Sequence, residues 1–172
     1  VVCALIFLAT TINYVDRQII GLLKPVLEKE FAWSESDFAI IVVAFTGAYA
    51  AGLLSFGWLI DRVGTKMGYT ISVVLWSLMG MLHAAAKSVT GFVAARIGLG
   101  LGEAGNFPAG MKAISEWFPT KERGVAAGIF NSGTAVGVVL AVLITPWILV
   151  SFGWQEVFII TGASGFVWLL FW

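Results

Sequence analysis

Apolar stretches long enough to cross a bilayer alternate with short polar breaks along the whole chain. Residues 1–15 carry no charge, Asp16 and Arg17 interrupt, and residues 18–23 continue the apolar character. At about 1.5 Å of rise per residue, a helix over residues 1–23 spans a hydrocarbon core of roughly 30 Å. Residues 24–37 hold Pro25, lysines and acids and predict an aqueous loop. Further spans are predicted over residues 38–60, 67–86 and 91–111. Residues 124–155 carry no charge but are too long for one crossing, and Pro146, Gly153 and Trp154 divide them. The fifth span is therefore placed at 124–148 and the sixth at 156–172, the last truncated.

Composition agrees with this pattern: 59% hydrophobic residues, 12% charged and a mean hydropathy of +0.94 describe a membrane protein. Ten basic and ten acidic residues leave no net charge, which argues against a nucleic-acid partner. Cys3 is the single cysteine, so neither a disulfide framework nor a cysteine metal cluster is expected. The opening Val1 and the apolar close GFVWLLFW give the expectation of a fragment, and no targeting segment is read from it. Arg62, Lys66, Lys112, Lys121 and Arg123 follow the second and fourth spans, whereas the other side has Lys24, Lys29 and Lys87. That bias places the first residue on the cytoplasmic side.

The small-xxx-small pairs Gly98 and Gly102, Gly124 and Gly128, and Gly133 and Gly137 predict close helix packing in spans four and five. GLGEAG at residues 100–105 matches a dinucleotide fingerprint formally, but no strand precedes it and no soluble unit surrounds it. Trp33, Trp58, Trp117, Trp147 and Trp154 fall at predicted span ends, where aromatic belts form. His83, near the end of span three, is expected to be solvated.

Charge inside apolar helices is costly and marks candidate chemistry. Asn13, Tyr14, Asp16, Arg17 and Gln18 concentrate on span one, either as the wet end of a short helix or as groups facing a cavity. Arg96 and Glu103 lie two turns apart on one side of span four, about 10.5 Å along its axis. They form either an ion pair that fixes packing or a site that engages a guest. Tyr49, Phe45, Asn131 and Ser132 are further candidates for a cavity lining, with packing as the alternative. No nucleophile and base pair and no metal-ligand spacing occurs in the spans, so neither an enzyme nor a cofactor is expected.

GWLIDRVGTK at residues 57–66 resembles the signature turn between spans two and three of the major facilitator superfamily, with Thr65 in place of the first of two terminal basic residues. Together with NYVDRQ, ARIGLGLGEAGNFPAG, SEWFPTKER and GWQEVFIITG in order, it resembles the anion:cation symporter family, and within it the hexuronate transporter branch. That resemblance implies an all-α membrane protein, here the N-terminal six-helix bundle of a twelve-helix transporter working by alternating access. It implies that Asp16 and Glu103 couple protons, that Arg17 meets the substrate carboxylate, and that Arg96 pairs with Glu103 and helps bind the anion. Tyr14, Tyr49 and Asn131 match cavity positions, and Gly57, Asp61, Arg62, Gly64 and Lys66 form a cytoplasmic gate, unless that turn is an ordinary charged helix end. The implied partners are a sugar-acid anion such as glucuronate or galacturonate, protons, the lipid of the inner cell membrane and a C-terminal six-helix half. A non-transporting sensor that binds an organic anion on the same scaffold is the alternative.

Overall fold

The computed structural model describes residues 1–172, and helices account for nearly all of them. They are α1 (Val2–Phe31), α2 (Glu35–Val63), α3 (Thr65–Leu82) with a 3-10 turn at His83–Ala85, α4 (Val89–Glu103), α5 (Asn106–Trp117), α6 (Arg123–Phe152) and α7 (Trp154–Leu169). Together α4 and α5 make one crossing, so the chain passes back and forth six times. By length and composition α2, α3 with its 3-10 turn, and α6 are each sufficient to cross a membrane.

The helices run beyond the apolar stretches that announce them. The expected loop after span one is largely helical, because α1 continues through Pro25 to Phe31 with Leu23 and Leu27 fully buried. Its charged side chains pair along the surface: Lys24 meets Glu28 at 3.5 Å and Glu35 at 2.7 Å. Those carboxylates push the Lys24 ammonium above its ordinary range. The chain turns at Ala32, which adopts a left-handed conformation, and α2 starts with a reciprocal capping box between Ser34 and Asp37. The Ser34 hydroxyl and backbone N–H hold the Asp37 carboxyl below the usual carboxylate range. The α2–α3 and α6–α7 joints each narrow to one residue, Gly64 at φ 86° and Gly153 at φ 101°, a conformation glycine adopts without a Cβ penalty.

The predicted fourth span is broken. Backbone bonds tighten at Ala104 and Gly105, and α5 restarts at Asn106. Pro108 falls in the first turn of α5, where its missing N–H costs no helical hydrogen bond.

The main packing pairs α1 with α6, α2 with α4, and α3 with both α4 and α7. Glycines set how close these approach. A Cβ at Gly100 would lie 2.6 Å from the Phe45 carbonyl on α2, and one at Gly102 2.6 Å from the Trp76 nitrogen on α3. The fingerprint-like GLGEAG is therefore a packing wedge. Gly133 and Gly137 close on the Phe7 and Thr11 carbonyls of α1, whereas Gly124 and Gly128 have nothing near them and depart from the packing expectation. Gly102→Leu is expected to cost about 1–3 kcal/mol or more by overpacking, while Gly128→Ala is tolerated; melting of the purified variants in detergent checks the contrast.

His83 is not solvated. It is fully buried, stacked on the Phe158 ring with centroids 4.9 Å apart, and its Nδ1 lies 2.7 Å from the Met79 carbonyl. Phe92 and Phe158 flank it, and Phe31, Trp33 and Trp154 pack against these rings to complete an aromatic knot. Of the five tryptophans expected at span ends, Trp33 and Trp154 are thus packed inside, and Trp58, Trp117 and Trp147 remain exposed.

Candidate functional site

Asp16 and Arg17 lie midway along the 30 residues of α1, not at a wet end. α4 presents Arg96 and Glu103 to the same region, and α2 adds Phe45 and Tyr49. Arg17 Nε donates to Glu103 Oε2 at 3.0 Å, and its Nη2 lies 3.0 Å from the same oxygen. The Arg17 guanidinium also stands over three rings, 4.5 Å from the centroid of Tyr49, 4.8 Å from Tyr14 and 5.2 Å from Phe45. Such an aromatic cage holds a cation while leaving its N–H edge free to bond.

The expected Arg96–Glu103 pair is not formed. Along α4 the two are about two turns apart, so both side chains would have to extend to meet. Arg17 enters from α1 at the level of Glu103 and takes its oxygen first. Arg96 lies instead over the Phe45 ring at 5.5 Å.

Burial makes this arrangement consequential. Glu103, Arg96 and Asp16 are 0%, 1% and 4% exposed, whereas the Arg17 side chain is 21% exposed. Both Asp16 carboxylate oxygens, Glu103 Oε1, Arg96 Nε and Nη2, and both amide atoms of Asn13 have no hydrogen-bond partner. Buried polar atoms are normally satisfied, and a cluster of unsatisfied ones is a feature of groups that exchange partners. Two acids and two arginines sum to zero, and one of the four reaches the surface.

Asn131 is not brought to this cluster. It is exposed on α6, and its amide donates to the Ala127 carbonyl of its own helix at 2.9 Å. A neutral network lies just beyond the break in the fourth crossing: Tyr69 donates to Asn106 Oδ1 at 2.5 Å, and Asn106 Nδ2 donates to Thr10 at 3.1 Å. It ties α1, α3 and α5 together. The sequence signal for Tyr69 is slight: a tyrosine within an apolar helix needs a partner for its hydroxyl.

At the other end, Asp61 Oδ1 accepts from Lys112 Nζ at 2.8 Å, and Lys112 also donates to the Ile60 carbonyl at 3.2 Å. Arg62 stacks on Trp58 at 4.1 Å, and the Lys66 carbonyl accepts from Trp172 at 3.2 Å. Gly64 makes the turn itself, and Gly57 lies in open surroundings. Thr65, the departure from the signature pattern, donates to Glu116 at 2.8 Å. Lys112 and Glu116 are thus the partners on α5 that the turn's own sequence does not reveal. A cavity of about 800 Å³ opens here, lined by Val2, Gly64, Thr65, Glu116 and Trp172 among others, and it contains none of the four central charged residues. Because Asp61 is exposed, Asp61→Asn and Lys112→Met are each expected to change stability by about 1 kcal/mol or less, checked by melting of the purified variants in detergent.

A family model described as Major Facilitator Superfamily matches residues 6–172. The chain belongs to that superfamily. This major facilitator chain is 38% identical to the hexuronate transporter of Escherichia coli (strain K12) over 169 residues, which cover 98% of this chain and 39% of the relative. It is 38% identical to the galacturonate transporter of Dickeya chrysanthemi, covering 98% of this chain and 49% of that one. The chain thus spans between about two fifths and one half of the length of these relatives. Among solved structures, a bacterial homolog to the human lysosomal transporter Spinster, inward-facing and unoccupied, superposes with a TM-score of 0.88 at 26% identity, over 99% of this chain and 41% of that one. The proton:xylose symporter XylE shares the fold with a TM-score of 0.83 at 21% identity, over 99% of this chain and 43% of that one. Membership places the chain among multi-pass membrane transport proteins and not among enzymes.

Proposed function

We propose that the chain is the N-terminal half of a proton-coupled importer of sugar-acid anions, hexuronates such as glucuronate or galacturonate, in the inner cell membrane with its first residue on the cytoplasmic side. The observation that carries this reading is that Arg17, the one central charge that reaches the surface, is already bonded to a buried carboxylate. An arriving sugar-acid carboxylate competes with Glu103 for the same guanidinium. A proton on Glu103 removes the competitor, so anion and proton enter together and the site stays neutral. The buried and unpartnered Asp16 supplies a second place for a proton. This reverses the partner expected from the sequence: protonation of Glu103 frees Arg17, not Arg96. Tyr14 and Tyr49 keep the freed guanidinium in place, and the turn with Gly57, Asp61, Arg62, Gly64 and Lys66 acts as the cytoplasmic latch. Names of the relatives support the substrate class.

The test is uptake of labelled glucuronate or galacturonate by proteoliposomes that hold the full-length protein, with and without an imposed inward proton gradient. Gradient-driven accumulation supports the reading. Binding of the same anions without flux would point instead to a sensor on the transporter scaffold.

A further inference from the structure

Phe45 holds a position that neither the charges nor the signature turn explains. Its ring lies 5.2 Å from the Arg17 guanidinium and 5.5 Å from that of Arg96, both inside the range in which a ring face attracts a cation. It stacks on Tyr49 at 5.9 Å, which continues the cage around Arg17. Arg96 is 1% exposed, and two of its nitrogens lack hydrogen-bond partners, so the ring is the direct contact that offsets part of its buried charge. Glu103, on the same helix, keeps one unpartnered oxygen. Two buried groups of opposite charge on one helix thus stay unbonded to each other, with an aromatic ring against one of them.

We propose that Phe45 is a positioning residue: its ring seats both guanidinium groups and holds Arg96, which helical separation and Arg17 already keep off Glu103, available to the anion that Arg17 captures. This rests on the sugar-acid reading above. The α2 backbone also packs on α4 here through a contact that the ring does not make, because a Cβ at Gly100 would lie 2.6 Å from the Phe45 carbonyl. Phe45→Leu removes the ring and keeps an apolar side chain; Arg96 then loses the contact that seats it, and the anion loses one of its two cations. The KM for glucuronate uptake by the full-length protein rises about tenfold with maximal rate retained within about twofold, and Phe45→Tyr restores a KM near the wild-type value.

A packing role is separated from a charge role by replacing Phe45 with mono-, di- and trifluorophenylalanine, which weaken the ring's attraction for cations at nearly constant shape. KM is expected to climb stepwise along this series, with melting temperature unchanged. A flat series, or equal impairment of the leucine and tyrosine variants, overturns the positioning role even if the leucine variant folds poorly. If the wild-type protein takes up and binds no sugar acid, the substrate reading itself has failed; if it transports and the fluorinated series is flat, only the role of Phe45 has failed.

Discussion

Glu103→Gln is expected to leave the full-length protein able to exchange the proposed sugar-acid substrate across proteoliposomes but unable to accumulate it against a gradient. The amide keeps the size of the carboxyl and a hydrogen-bonding oxygen for Arg17, so the cage of Tyr14, Phe45 and Tyr49 stays assembled. What it loses is the carboxylate charge, which in the proposed mechanism competes with the anion and takes the proton. Binding is therefore retained or tightened, counterflow continues, and the imposed proton gradient ceases to drive uptake. The measurement is accumulation under a gradient set against counterflow of the same labelled substrate. Undiminished uphill uptake by this variant would remove Glu103 from the coupling path and leave Asp16 as the carrier of the proton.

Arg17→Ala has the larger effect on both stability and binding. Removing one partner of a buried ion pair strands the other, and Glu103 is fully buried. The expected cost is about 3–5 kcal/mol of folding stability, seen as a lower melting temperature in detergent. Affinity for the anion falls by about 10- to 100-fold, as loss of a charge-assisted pair dictates. Combining Arg17→Ala with Glu103→Gln removes the stranded charge, so the double variant recovers most of the stability and none of the transport. If the double variant melts as low as Arg17→Ala, the loss stems from the cage and not from the ion pair. Arg17→Lys keeps a charge but lacks the planar group that stacks on three rings, and its KM falls between the wild-type and alanine values.

Much of this was legible in the residues. Charges at Asp16, Arg17, Arg96 and Glu103 within apolar stretches suggested a cavity, and Asp16, Arg96 and Glu103 are buried while Arg17 reaches the surface. Glycine spacing at Gly98 and Gly102 and at Gly133 and Gly137 announced contact, and each of the four meets a neighbour. What the residues could not show was which cation takes which acid. Helical spacing measures separation along one axis and says nothing of what enters from another helix; Arg17 reaches Glu103 across 86 positions of sequence. The burial of His83 departs from the sequence expectation for a related reason. Its surroundings in sequence are an exit from the membrane, while Phe92 and Phe158, which bury it, belong to α4 and α7. Helix ends were also longer than hydropathy suggested, since Lys24, Glu28 and Glu35 satisfy one another at the surface and allow α1 and α2 to continue past the apolar core.

The ion pair also has a mechanical side. α1 leans chiefly on α6 through Gly133 and Gly137, whereas α4 is wedged between α2 and α3 through Gly100 and Gly102. The two helices that carry Arg17 and Glu103 therefore belong to different packed groups, and the bond between them works as a stitch across the seam. Under the proposed coupling, a proton arriving at Glu103 would unpick the stitch in the same event that frees the cation. Occupancy of the site and compliance of the bundle would then be set by one bond, with the turn at Gly64 as a second contact at the far end.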